Sequence, residues 1–306
     1  MIQILGQVVL KESRRWLHKP LLLTPRVDST CGIAPASAAV NVLNEEANLP
    51  SRMNAGIPSY FTSLKPFTGL FATGVPSLMY HKLGRRPWGV RLKGLYLSRS
   101  LFERQLSQLH AAGFTTPAYG PPPLSEGNPG RRIVLTFDDG FANVFEHGLE
   151  PLARHGFRAV IFLVADLIGG CNGWEMQEGE ARQPLMDETQ VKEWLAAGHE
   201  IGSHTLTHPF LTRLSLKKAG EEISASKKKL EDCFGRSVRH FCYPYGDWNP
   251  AVRDLVVAAG YETACTTEFG VNTKATPPFE LKRILVRYQS ISFKALKERL
   301  ARTRFR

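Results

Sequence analysis

A chain of 306 residues with 43% hydrophobic content has room for one large globular domain or two ordinary ones, and no apolar run reaches the roughly 18 residues of a membrane-spanning helix. The net charge of +11 invites a nucleic-acid partner, but residues 75–280 carry 23 basic and 23 acidic side chains, so no basic stripe runs through the body, which argues against a nucleic-acid enzyme. The excess lies mostly in 281–306, with nine basic and one acidic residue, and the tail 302–306 is expected to be a solvated basic end or a peripheral contact with an anionic membrane surface.

Residues 1–74 show no sustained period and are expected to be a poorly ordered extension with one short helix around Val8–Leu17. Basic residues follow the first apolar stretch rather than precede it, which is not the order of an export signal. The five cysteines (Cys31, Cys171, Cys233, Cys242, Cys265) form no C-x-x-C pair and are expected as free thiols, so a cytoplasmic location is expected.

Regular structure is expected from Val75. VPSLMYH reads as a strand, followed by a helix capped by Ser98 or Ser100, with Phe102, Leu106 and Leu109 on one face and Gly113 as its stop. A Pro/Gly loop, Tyr119–Arg131, precedes the buried strand IVLTF, a helix through Val144–Arg154 and a strand at Ala159–Val164. After a polar insertion, GGCNGWEMQEGEARQPLM, Asp187 and Gln190 form a capping box for a helix that Gly198 ends. The strand HEIGSH follows, then a helix at Ser215–Phe234 with Leu216, Ile223 and Leu230 one heptad apart. RHFCYPYG is a strand and turn, and Pro250 opens the next helix. YETACTT and LKRILVR are strands, and a last helix falls at Phe293–Leu300. Seven or eight such alternations predict an α/β domain over 75–301 with a mostly parallel sheet, open or closed into a barrel.

Three polar constellations fall at strand ends, where α/β folds place their sites. Asp138-Asp139 alone is compatible with helix capping, a Mg²⁺ site, a surface turn or catalysis. His204 and His208 are four apart, and Pro209 disfavours the α conformation at His208, so the pair belongs on a turn or at the edge of a short helix. CYPYGDWN reads as a tight turn presenting backbone N–H groups. Together, one carboxylate and two imidazoles make a facial set for Zn²⁺ or another divalent transition metal, and a second carboxylate beside the first can take the proton of a water.

TFDDG, then SHTLTHP, then PYG, in this order, resemble the polysaccharide deacetylase family (the NodB homology domain, carbohydrate esterase family 4) over about residues 75–300. The resemblance implies a distorted (β/α) barrel of about seven to eight strands and hydrolysis of acetyl groups on sugars, usually N-acetylglucosamine. It makes Asp138 the base, Asp139, His204 and His208 the ligands of a divalent metal, zinc first, and the Tyr245 backbone N–H an oxyanion donor. The expected substrate is an N-acetylated polysaccharide or its lipid-linked precursor. Tyr243, Trp248 and Trp174 are candidates to stack on the sugar.

The departures are specific. The family usually has an arginine two residues before the PYG proline to orient the base; here Cys242 stands there, and Arg283 is the candidate substitute. No histidine follows His240, so the usual late acid is missing, as is the Asp-Trp motif. Met79-Tyr80-His81 and FERQL are similar to the branch that includes deacetylases of poly-N-acetylglucosamine, which makes His81 the candidate acid. His199 and His240 are read as structural. Two other readings stay open: a catalytically silent carbohydrate-binding relative, and a hydrolase of small amides on the same fold.

Overall fold

Strands that are apolar on both faces need cover on both sides, and Val160–Leu163 (β5) is buried at every position. The computed structural model describes residues 64–116, 131–176 and 179–286. The expected helices at Val8–Leu17 and Phe293–Leu300, the tail 302–306 and most of the Tyr119–Arg131 loop lie outside them.

Seven parallel strands close on themselves. Val75–Tyr80 (β1) pairs with Val134–Phe137 (β4), which pairs with β5; Glu200–Ser203 (β6), His240–Cys242 (β7), Thr263–Phe269 (β8) and Leu281–Leu285 (β10) follow. β10 returns to β1 in parallel register, Leu78 against Ile284 and Met79 against Leu285, and this pairing makes a barrel of the sheet. The expected (β/α) barrel is thus present, with seven staves. Val271–Asn272 (β9) adds antiparallel to the start of β1, and Lys82–Leu83 (β2) pairs with Tyr96–Leu97 (β3) outside the barrel. These two-residue strands carry no readable period.

Alternation divides the core. Val160, Phe162, Cys242, Cys265 and Leu281 cluster on the inner face, while Leu135, Phe137, Ile161 and Phe241 join the larger cluster under the helices. Gly202 is required on β6, because a Cβ there would lie 2.4 Å from a Phe162 ring carbon.

The helices form where their caps predict. Ser98 accepts from the Leu101 N–H to start Arg99–Ala111 (α2), which buries Leu101, Phe102, Leu106 and Leu109. Phe102 packs edge-on against Tyr80 and Phe137, at centroid distances of 5.3 and 5.8 Å, fixing the ends of β1 and β4 from which the site residues emerge. Ala142–Arg154 (α3) starts two residues before the expected Val144. The Asp187–Gln190 box opens Glu188–Ala196 (α5), and Asn249 caps Pro250–Ala258 (α7). On Leu216–Phe234 (α6) the buried stripe is Ala219, Ile223, Ser226 and Leu230, whereas Leu216, at the first helical position, is 58% exposed.

Before β1, Thr68–Phe71 (α1) is helical, and Leu64, Phe67, Leu70 and Phe71 pack on the core. The polar insertion contains a short helix, Gly173–Met176 (α4). Among the described residues no helix is long and apolar enough to cross a membrane.

Candidate active site

The C-terminal ends of β1, β4, β6, β7 and β10 meet at one end of the barrel, and each delivers a polar side chain there. Among the described residues, the non-glycine residues with positive φ are Asp139 (76°), Thr205 (70°), His208 (66°) and Tyr245 (60°), all within the three motifs. Each such position costs about 1–3 kcal/mol unless its surroundings fix it, and the fixing contacts are present. Glu222 of α6 accepts from the Leu206 and Thr207 N–H groups at 2.9 and 3.0 Å and from the Thr207 hydroxyl at 2.7 Å. Thr205 Oγ1 accepts from the His208 N–H at 3.0 Å. Asp247 ties the PYG turn, Pro244–Gly246, to Thr212 through its backbone N–H and hydroxyl.

Asp139, His204 and His208 are buried, and one donor atom of each lies within 4.8 Å of the others. His204 Nδ1 is 2.7 Å from the Cys242 carbonyl, an acceptor only, so Nδ1 carries a hydrogen and Nε2, 3.4 Å from Asp139 Oδ1, is the nitrogen that can offer a lone pair to a metal. His208 Nε2 faces the same oxygen at 3.3 Å, and burial lowers the pKa of that ring, favouring its neutral form. Imidazole nitrogens facing a carboxylate oxygen are an arrangement that a cation between them satisfies, so the residues fit a divalent metal ion. The His208 ring is also held by its neighbours: Trp174 stacks on it at 4.6 Å and Tyr245 meets it edge-on at 4.5 Å.

Asp138 faces the barrel interior beside this set. Arg283 grips both its oxygens, Nη1 to Oδ1 at 2.7 Å and Nη2 to Oδ2 at 2.8 Å, and also donates to the Thr266 carbonyl and to Cys242 Sγ at 3.1 Å. Burial alone would raise the Asp138 pKa; Arg283, by charge and hydrogen bonding, together with His81 and His204, outweighs it and holds the carboxyl below its ordinary value. Arg283 therefore lies where the sequence required a partner for Asp138, reaching it from β10 across the strand pairing that closes the barrel. Asp138, His204 and Cys242 also converge. They are a poor ligand set, because burial pushes the Cys242 thiol well above its usual range and Arg283 occupies both Asp138 oxygens.

His81, at the end of β1, places Nε2 3.8 Å from Asp138 Oδ2, and burial lowers its pKa against the opposing pull of Asp138 and Asp139. Tyr245 stacks flat on Phe210 at 3.9 Å. The aromatics divide. Trp174 commits one face to His208. Trp248 is half-buried and stacks on Tyr243 at 5.9 Å. Tyr243 is fully buried and donates its hydroxyl to the Phe279 carbonyl, so it is a packing residue and not a sugar platform. Its parity explains this: Phe241 and Tyr243 turn outward to the helices while Cys242 turns inward.

Sequence reasoning passed over Glu222, Lys82 and Glu175. Glu222 sits on a polar helix face that looks like any solvated one, and Lys82, directly after His81, carried no motif.

A model of the polysaccharide deacetylase family matches residues 125–264, which include Asp138, Asp139, His204, His208 and the PYG turn but neither His81 nor Arg283. The putative polysaccharide deacetylase YxkH of Bacillus subtilis is 27% identical over 216 residues, covering 69% of this chain and 71% of that protein. A chitooligosaccharide deacetylase of Bradyrhizobium is 29% identical over 133 residues, 42% of this chain; the alignment spans about half of that protein's length (53%). The deacetylase PplD of Streptococcus pyogenes, solved with acetate, superposes with a TM-score of 0.61 over 74% of this chain and 97% of its own, at 22% identity, and so shares the fold.

Proposed function

This chain belongs to the polysaccharide deacetylase family, and from that membership we propose that it removes acetyl groups from N-acetylated sugars with the aid of a divalent metal held by Asp139, His204 and His208. The observation that carries the reading is the buried Asp138, gripped on both oxygens by Arg283 beside those three residues.

The protein's own groups divide the work. Asp138, kept ionised by Arg283, takes a proton from the attacking water as its oxygen adds to the acetyl carbon. The Tyr245 N–H, in a turn held by Asp247, is the proposed donor to the oxyanion that forms. His81 Nε2, adjacent to Asp138, is the proposed donor of the proton that the departing sugar amine needs when the C–N bond breaks. When bound, the metal, zinc in the first instance, would polarise the acetyl carbonyl and acidify the water. Trp248 and Trp174 are proposed to border the sugar.

The proposed substrate is an N-acetylglucosamine-containing polysaccharide of the poly-N-acetylglucosamine kind or its lipid-linked precursor, met at the cytoplasmic membrane face; the precursor and the location rest on sequence alone. Incubation with N-acetylglucosamine oligomers tests the activity. Free acetate and matching loss of acetyl groups by mass spectrometry are expected with the wild type and not with Asp138→Asn. Wild-type protein that releases no acetate from any N-acetylated glycan contradicts it.

A further inference from the structure

A lysine with no exposed surface follows His81 directly. Lys82 Nζ donates to Glu175 Oε2 at 2.5 Å and lies over the Phe141 and Tyr96 rings, 4.4 and 5.0 Å from their centroids. Glu175, itself buried, also accepts from Asn172 Nδ2 at 2.7 Å. Asn172 in turn donates to the Ala181 carbonyl and accepts from the Gln183 N–H, closing the polar insertion into a stitched loop. The residue before Glu175 on α4 is Trp174, whose ring lies flat on the metal-ligand candidate His208. One buried ion pair thus connects the residue after His81 to the residue after Trp174, the ring of the insertion that stacks on His208.

Stability does not account for this pair. Burying two charges costs about as much as their attraction returns, and an apolar pair of equal volume is often as stable or more so. What an apolar pair lacks is direction: the Nζ–Oε2 contact fixes the rotation of a four-residue helix too short to fix itself.

We propose that Lys82 and Glu175 are positioning residues that set Trp174 against His208 and so shape the glycan-binding wall of the site. The proposal deepens the deacetylase reading and rests on it for the substrate class. Lys82 and Glu175 touch no reacting group; they act through Trp174.

The test compares Lys82→Met, Glu175→Gln and the double variant Lys82→Met/Glu175→Met. The single variants leave an unpaired buried group and are expected to melt lower, whereas the double variant leaves no charge behind and recovers most of the loss. KM for N-acetylglucosamine oligomers is expected to rise about tenfold in all three, with kcat reduced by less than about threefold. The double variant therefore recovers in stability but not in KM. Tryptophan emission is expected to change in all three variants, and the change is expected to vanish when each is made in a Trp174→Phe background. A double variant with wild-type KM and wild-type emission overturns the proposal. Emission reads Trp174 whether or not substrate turns over, so an inactive wild type would refute the deacetylase reading while the emission arm still decides this one.

Discussion

Arg283→Met removes the one guanidinium that faces Asp138 and keeps the volume of the side chain. Arg283 and Asp138 are 1% and 3% exposed, so water does not replace the lost contacts. The change deletes two charge-assisted hydrogen bonds to Asp138 and strands the acceptors at Thr266 and Cys242. Breaking a buried pair from one side costs about 3–5 kcal/mol. Asp138→Asn/Arg283→Met leaves no charge unpaired, so its stability should exceed that of Arg283→Met, and the coupling in the double-mutant cycle should be large. With the guanidinium gone, only His81 and His204 oppose burial at Asp138 and its carboxyl titrates higher. The acid limb of kcat/KM should then move to higher pH, and its plateau should fall by about 10²- to 10⁴-fold, the usual contribution of a positioned base. Cys242→Arg/Arg283→Met should regain part of this activity, because an arginine at 242 lies where the family usually keeps it, whereas Cys242→Arg alone would force two guanidiniums onto one carboxylate. Urea denaturation and pH–rate profiles measure these quantities. Wild-type stability and an unmoved acid limb in Arg283→Met would refute the reasoning.

Other changes test the supports of the site. Glu222→Ala removes the acceptor of two backbone N–H groups in the histidine turn and should weaken zinc binding by about 10- to 100-fold, read by competition with a chromophoric chelator. His199 is buried, accepts from the Ala159 N–H, and has its pKa lowered to about 4, by burial first and then by Arg158. Its folded value lies below the unfolded value of about 6.5, so the unfolded chain binds more protons between the two. Stability should therefore fall as pH drops through that window, by up to about 3 kcal/mol from this group. The slope should flatten in His199→Gln, measured by urea midpoints from neutral to acid pH.

The site was legible where chemistry has a local spelling. Asp138-Asp139, the two histidines and PYG each sit within a few residues of one another, and their order carried the resemblance. Arg283 was legible only as a gap to be filled, since what puts it beside Asp138 is the closure of the barrel between β1 and β10. Tyr243 misled because its neighbours suggest a rim, while the two-residue period of the chain decides its face. Leu216 misled similarly, because heptad spacing does not say where a helix leaves the surface it covers. Glu222, Lys82 and Glu175 had no local signal at all, as their partners lie 16 or 93 residues away.

The most direct test of the account is acetate release from N-acetylglucosamine oligomers by chelator-stripped protein as zinc is added back. Release should be absent from the stripped protein and rise to a plateau near one metal per chain in the wild type. In His204→Gln and Asp139→Asn it should stay near background at the same zinc. Full activity after stripping, or normal activity in those variants, would contradict the assignment of Asp139, His204 and His208 as the metal-holding set.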